Sequence, residues 1–214
     1  MANIVGGQEG QQTLTSGASN QPLRQGRYAD LIASELNAKY YEQAYRGNVF
    51  FAAHQAAITF AANGLTSSTV VGLGLFNTVN SGKNIIPIQV EITMTNYVTT
   101  STNVQVVAVA TAAASTASPT VGGGLTIYQS VGMKTNQSIA IAAQTMTFSA
   151  NTVVWKSIYG AFCNTTISDA IPTVSSEPVD LGGSLVIPPG MGMGFLANNA
   201  STGLISLTWM ELAI

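Results

Sequence analysis

The sequence predicts an all-β, antiparallel fold of the sandwich or barrel class, preceded by an N-terminal arm that contains a helix. Apolar and polar residues alternate with a period of two along several segments, which is typical of strands with one buried face. Turn-forming clusters of Gly, Pro, Asn and Ser separate these segments at the short spacing seen in sandwiches and barrels. Only 7% of the 214 residues are charged, and seven of these sixteen lie between Arg24 and Arg46. The N-terminal part of the chain therefore differs from the rest in its content of charged residues.

The N-terminal arm, residues 1–48, has two parts. Residues 1–23 are rich in Gly, Gln, Ser and Thr. They hold too little apolar surface to offset the entropy lost on ordering, so we expect only contact with other subunits to order them. From Arg24 to Arg46, apolar residues recur at three- and four-residue spacing, which predicts an amphipathic helix, and Gly47 supplies a C-terminal stop. Residues 49–214 are predicted to form the β domain.

The helix of the arm permits two interpretations. Its apolar stripe would pack on the β domain of the same chain, or the helix would dock on a neighbouring subunit. Tyr and Arg are enriched in the binding centres of protein interfaces, and four of the seven tyrosines of the chain lie in this segment. On the second interpretation, the candidate partner-binding residues are Arg24, Arg27, Tyr28, Tyr40, Tyr41, Tyr45 and Arg46.

The β domain is organised around the segment Gly72–Asn96. We expect it to form a hairpin with a turn at Asn80–Asn84, because Gly and Asn tolerate the positive φ of a tight loop. The residues expected on the buried face of its second strand are Ile86, Ile88, Val90, Ile92 and Met94. In the last strand Trp209 is expected to be buried by the same alternation. The candidate strands are Val49–Ala53, Ala56–Ala61, Thr69–Asn77, Ile85–Asn96, Asn103–Thr111, Leu125–Val131, Gln144–Ser149, Thr152–Gly160, Ser184–Ile187, Met193–Ala197 and Leu204–Leu212.

Two long loops are predicted, at Ala112–Gly124 and Thr165–Gly183. Both are rich in Gly, Ser, Thr and Pro and low in charge. Long loops on a rigid β scaffold are where contacts are usually made, so both are further candidates for binding a partner.

The sequence contains no recognisable catalytic or metal-binding motif. His54 is the single histidine and lies among alanines, so we interpret it as structural rather than catalytic. Cys163 is the single cysteine, which excludes a disulfide within the chain and a cysteine-based metal site. We therefore predict no enzymatic activity and no cofactor. A pair of carboxylates that the fold brings together stays an open alternative.

Charge and hydropathy narrow the range of partners. The net charge is −2 and there is no basic run, which argues against nucleic-acid binding. Because Thr, Asn and Gly interrupt every apolar run, we expect no membrane span, and the first residues do not resemble a secretory signal. A surface so poor in charge provides little colloidal repulsion, which favours a protein that works inside an assembly. A neutral, monomeric secreted domain is the alternative.

Three stretches of the sequence together carry a resemblance to a known family. They are RQGRYADLIASEL through YYEQAYRGNVF at Arg24–Phe50, GLGLFNTVNSGKNIIPIQVEI at Gly72–Ile92, and VIPPGMGMGFLAN through LTWMEL at Val186–Leu212. They resemble virion structural proteins of tailed bacteriophages, most of all the β-sandwich head-decoration, or cement, proteins. The resemblance implies a jelly-roll-like domain on the outer surface of a capsid, bound to the major capsid protein, with no enzymatic activity or cofactor. The protein would lie in the host cytoplasm during assembly.

This resemblance leads to an expected mechanism and to an alternative. The arm and the loops would bury surface across neighbouring capsid subunits and so stabilise the assembled shell. We also expect a homo-oligomer, a trimer rather than a dimer, because a single sandwich cannot hide all the apolar strand faces. The alternative is a receptor- or glycan-binding module of a phage fibre or tail, whose exposed loops would stack Tyr or Trp on sugars.

Overall fold

The computed structural model describes residues 40–60, 67–96, 102–163 and 178–214. The residues from Glu42 to the C-terminus form one compact unit. A single helical turn, α1, precedes twelve strands in the described residues. The elements are α1 (Tyr41–Tyr45), β1 (Val49–Ala53), β2 (Ile58–Phe60), β3 (Thr69–Asn77), β4 (Lys83–Asn96), β5 (Thr102–Thr111), β6 (Thr120–Gly124), β7 (Tyr128–Gln129), β8 (Ala140–Thr147), β9 (Thr152–Cys163), β10 (Val179–Asp180), β11 (Gly192–Ala197) and β12 (Ser201–Ala213).

The strands form two six-stranded antiparallel sheets that pack face to face. The first sheet has the order β10-β4-β12-β1-β7, with β2 also paired to β12, and the second has the order β6-β8-β3-β11-β5-β9. The main core lies between the sheets and is centred on the largest fully buried side chains, among them Trp209, Phe50, Phe60 and Phe195. Full burial of each such side chain stabilises the folded protein by roughly 1.5–3 kcal/mol. The predicted all-β sandwich is therefore confirmed.

The alternation in β12 is the clearest link between sequence and fold. Buried and half-buried residues alternate without a break from Ser201 to Leu212. Ile205, Leu207 and Trp209 face the core, as the sequence predicted. This strand is central in the first sheet, because β4 pairs with one of its edges while β1 and β2 pair with the other.

The predicted hairpin between β3 and β4 is wrong. The turn itself is as expected, with positive φ at Asn80 (60°) and Gly82 (68°). However, β3 belongs to the second sheet, where it pairs with β8 and β11, and β4 belongs to the first. The turn therefore carries the chain from one sheet to the other. The Asn77 side chain holds it there by donating to the carbonyl oxygens of Lys83 and Ile187, each at 2.8 Å.

The buried face of β4 follows the prediction only in its second half. Ile88, Val90 and Ile92 are at most 2% exposed, as expected. Ile86 is half-buried instead of buried, while its neighbours Ile85 and Pro87 are buried. The cause is a break in register: Thr208 pairs with Gln89 but Trp209 pairs with Pro87, which leaves Ile88 as the extra residue of a β-bulge. A bulge reverses the side-chain alternation on one of its sides.

The centre of the second sheet is buried on both faces. Val106 and Ala108 of β5 point into the main core, whereas Val107 and Val109 belong to a smaller cluster with Phe148. Residues of β3, β8 and β11 also contribute to this smaller cluster. The start of β3 and the end of β8 thus pack over the outer face of the sheet to which both strands belong.

Two glycines make room for the smaller cluster. A Cβ at Gly194 would lie 2.8 Å from a methyl carbon of Val70, and a Cβ at Gly74 would lie 2.6 Å from the Cβ of Met146. Val70 and Met146 therefore occupy the space that a side chain at either glycine would need. A larger residue at Gly194 or Gly74 would clash with these two side chains and disturb the packing of the smaller cluster.

Several predicted element boundaries need correction. The predicted loop Ala112–Gly124 contains strand β6, and the described end of the predicted loop Thr165–Gly183 contains the two-residue strand β10. The predicted strand Leu125–Val131 shrinks to β7. The predicted strand Ser184–Ile187 reduces to a single bridge between Ile187 and Ile85. Pairing in the folded molecule decides the conformation of these segments.

Candidate interaction surface

The end of the arm is tied to the sandwich through α1 and Gly47. The amide of Gly47, at φ 79°, donates to the carbonyl of Ala44, and that of Asn48 donates to the carbonyl of Gln43. This pair of bonds is the Schellman motif, in which a glycine ends a helix, as the sequence predicted. The Gln129 side chain of β7 donates to the Gly47 carbonyl at 2.7 Å. The helix end is thus held against the edge of the first sheet.

The structure describes four of the seven predicted partner-binding residues. Tyr45 is 74% exposed and Tyr41 is 48% exposed. Arg46 is also exposed, and Tyr40 is half-buried. The other three predicted residues, Arg24, Arg27 and Tyr28, lie outside the described residues, as do residues 1–39 of the predicted arm as a whole.

A second aromatic pair lies on the strands next to this helix end. The rings of Phe51 on β1 and Tyr128 on β7 stack with their centroids 5.6 Å apart. Both side chains are half-buried, so part of each ring faces solvent. Such rings present rigid apolar area that costs little entropy on binding.

The segment between β7 and β8 forms an exposed turn. Tyr128 bridges to Thr135, and the amide of Gln129 donates to the carbonyl of Lys134 at 2.8 Å. At its tip, Met133 adopts a positive φ of 53° and is 58% exposed. An apolar residue held in this conformation at a loop tip is a candidate contact point.

The base of this turn is fixed by a buried carboxylate, Glu211, which is 1% exposed. The Ser138 hydroxyl and the Trp209 indole nitrogen donate to Oε1 of Glu211, the latter at 3.3 Å. The Ile139 amide lies 3.2 Å from Oε2, and the Lys83 ammonium lies 3.6 Å from the same oxygen. Burial of a carboxylate is tolerated when it is paired and hydrogen-bonded in this way.

Glu211 holds structure together rather than presenting a reactive group. Both oxygens face donors, and the donors come from β4, β12 and the two residues just before β8. Sequence analysis missed this residue. The sequence did contain a signal for its burial. Glu211 lies an even number of positions from Ile205, Leu207 and Trp209, so the alternation along β12 places its side chain on the same, core-facing side.

His54 is buried between the sheets at the end of β1. Its Nε2 lies 2.6 Å from the carbonyl oxygen of Gly72, so Nε2 carries the proton and donates. Burial lowers the pKa of His54 below its ordinary value, and the hydrogen bond to Gly72 raises it by less. Gly72 lies in the bulge of β3, at φ 148° and beside Phe60. The contact therefore fixes the bend of β3, in keeping with the structural interpretation of this histidine.

A cleft of about 400 Å³ opens between the β6–β7 connection and the start of β8. Its walls combine apolar side chains, Leu125, Ile127 and Ile141, with the polar side chains of Asn136 and Ser138. Its volume falls in the range of small-molecule sites. Ser138 links the cleft to the Glu211 network.

Among the described residues, no group of three or more His, Cys, Asp or Glu side chains could hold a metal ion. No helix in this part of the chain is long and apolar enough to cross a membrane. No protein-family model, curated protein or solved structure matches this chain.

Proposed function

We propose that this protein is a decoration, or cement, protein of a tailed-bacteriophage head. It binds the shell of the major capsid protein from the outside and stabilises it. It encounters the shell in the host cytoplasm during assembly and stays on the outer surface of the virion. The proposal joins the family resemblance of the sequence with the character of the described surface.

One observation carries the proposal: exposed Tyr45 and Arg46 lie at a helix end that is bonded to a sandwich with few charges. The bond from Gln129 to Gly47 prevents this helix end from swinging away from the β domain. Because the backbone beside these residues is already ordered, little backbone entropy is lost when their side chains bind a partner. A permanent protein contact makes use of this combination, whereas a catalytic cleft does not need it.

The proposed mechanism is linkage between binding and assembly. The arm and the exposed turn between β7 and β8 would contact neighbouring capsid subunits at the same time. Because this combined site exists only where the subunits are assembled, binding adds free energy to the assembled shell alone. The protein would also associate with itself, and the sequence favours a trimer over a dimer.

Capsid binding by matched double variants tests the proposal. We expect Tyr41→Ala with Tyr45→Ala to weaken co-sedimentation with expanded capsids by about tenfold or more, since exposed Tyr anchors cost over 1 kcal/mol each at interfaces. The control is Val153→Ala with Val154→Ala on β9, where the side chains are also exposed. Neither pair removes core packing, so both proteins should unfold as the wild type does.

Electron micrographs of capsids decorated with the wild-type protein supply the second measurement. We expect density on the outer surface at defined symmetry positions. A wild-type protein that binds neither expanded nor unexpanded capsids would refute the proposed function. If the control variant alone lost binding, the contact would belong to β9 and not to the arm.

A glycan-binding module of a phage fibre or tail is the second candidate. The cleft beside Asn136 and Ser138 favours it, because amide and hydroxyl groups beside apolar walls suit a sugar ring. A glycan array with the full chain tests this function. Binding that Asn136→Ala abolishes would support it, and an array without signal would reject it.

A further inference from the structure

The second sheet has one edge that is left open, strand β6. It pairs with β8 only, and it ends the sheet in the part of the chain that the structure describes. All five of its residues are exposed, so none of the described residues covers this edge. An exposed edge presents backbone N–H and C=O groups that can pair with another strand.

The other sheet edges are protected, which sets β6 apart. Strands β7 and β10, at the edges of the first sheet, have only two residues each. Strand β9, at the far edge of the second sheet, shifts register twice against β5. These two bulges, together with Lys156, interrupt its edge. Short strands, bulges and lysines are the devices that prevent pairing with other chains.

Strand β6 has five residues, carries no lysine and keeps one register with β8 from Thr120 to Gly124. Gly123, at φ 63°, is the one residue of this strand for which no partner in β8 is found. No charged residue occurs between Glu91 and Lys134, so no charge near this edge in the sequence repels an incoming strand.

We propose that β6 pairs antiparallel with β6 of a second copy of this chain, across a two-fold axis. A register centred on Gly122 places Val121 of each copy opposite Gly123 of the other, and Thr120 opposite Gly124. Each larger side chain then meets a glycine, so two backbones can approach without a clash. A Cβ at Gly124 would have no neighbour within 4 Å, so the sheet face at this position leaves room for the Thr120 side chain of the other copy.

The self-complementary sequence identifies the occupant. The strand carries no charge by which a charged partner could be selected. Its larger residues come first and its glycines last, so each larger residue lies opposite a glycine when two identical strands pair antiparallel. The pairing would join two six-stranded sheets into one continuous sheet. A two-fold contact closes at two copies, so it favours a dimer over the trimer expected from the sequence. It does not rest on the proposed function, because it concerns contact between copies of this chain alone.

Matched lysine substitutions on the two edges of the same sheet test the proposal. Val121 on β6 is 46% exposed and Val153 on β9 is 57% exposed, so a lysine at either position remains in solvent in the monomer. We expect sedimentation velocity at micromolar concentration to show a dimer for the wild type and for Val153→Lys. We expect Val121→Lys to raise the dimer dissociation constant by about tenfold or more. A wild-type monomer or trimer, or a dimer that Val153→Lys disrupts instead, would overturn the proposal.

Crosslinking tests the register independently of affinity. In a Cys163→Ser background, Gly122→Cys places two thiols across the proposed axis, while Val153→Cys serves as the control. A Cβ at Gly122 meets only Thr145, at 3.7 Å, so the variant should fold. We expect mild oxidation to give a covalent dimer for Gly122→Cys and not for Val153→Cys. The reverse result would assign the contact to β9.

Discussion

Replacement of Glu211 by Gln is expected to destabilise the sandwich even though the side chain keeps its shape. The new amide can still accept from Ser138 and Trp209 through its oxygen. Its NH₂ group would then face the Ile139 amide, which donates to Oε1 at 3.3 Å and to Oε2 at 3.2 Å in the native protein, so the NH₂ group would be a buried donor with no acceptor beside it. A buried donor left without an acceptor costs about 1–3 kcal/mol. We expect Glu211→Gln to lower the free energy of unfolding by at least that amount.

The ion pair with Lys83 is expected to contribute much less. The Lys83 side chain is 36% exposed and its ammonium lies 3.6 Å from Oε2, so solvent screens the attraction and can hydrate the ammonium when the partner is lost. Pairs of this kind contribute about 0–1 kcal/mol. Lys83→Met should therefore cost less than about 1 kcal/mol, well below the cost of Glu211→Gln.

Urea denaturation of the two single variants and the double variant measures these terms. At an unchanged slope against urea, the shift in midpoint gives each free-energy change, and the double-mutant cycle gives the coupling. Hydrogen exchange of the Ile139 amide should increase in Glu211→Gln and stay near the wild type in Lys83→Met. If Lys83→Met cost as much as Glu211→Gln, the ion pair would dominate and the assignment to hydrogen bonds would be wrong.

Two further predictions concern His54 and Gly194. Because the folded-state pKa of His54 lies below 6.5, the unfolded chain takes up a proton before the folded one does. The free energy of unfolding should therefore fall by up to about 1.4 kcal/mol per pH unit as the pH drops below 6.5. His54→Gln keeps a donor for the Gly72 carbonyl and should reduce this slope in urea titrations at several pH values; an equal slope in both proteins would contradict the assignment. Gly194→Ala should destabilise the protein by about 1–3 kcal/mol through overpacking. The control, Gly160→Ala, places a Cβ that meets nothing within 4 Å and should change stability by less than about 0.5 kcal/mol. Equal midpoints of the two variants in thermal denaturation would refute the close contact between Gly194 and Val70.

Much of the fold could be predicted from local pattern. The bounds of β1 and β3 agree with the prediction at both ends, and the core face of β12 was identified correctly. The stop at Gly47 was also predicted, and its Schellman bonds confirm it. These features depend on side-chain alternation or on the φ of one glycine, and both are properties of a few consecutive residues.

The interaction surface was predicted only in part. The tyrosines Tyr41 and Tyr45 were named as candidates from composition, and both are exposed. The open edge of β6 was not foreseen, because Thr-Val-Gly-Gly-Gly has weak strand propensity and was interpreted as loop. It becomes a strand because Val121 pairs with Met146 of β8.

The sequence alone determined that the chain would form strands with one apolar face, because alternation acts over neighbouring residues. Only the tertiary structure decided which strands would pair. The turn after Asn77 looked like a hairpin turn, yet β3 pairs with β8 and β11, whose residues lie more than 60 positions away in the chain. The bulge at Ile88 likewise depends on the register that β12 imposes on β4. Pairing between distant strands gains its free energy from burial of whole faces, and no short stretch of sequence contains that information.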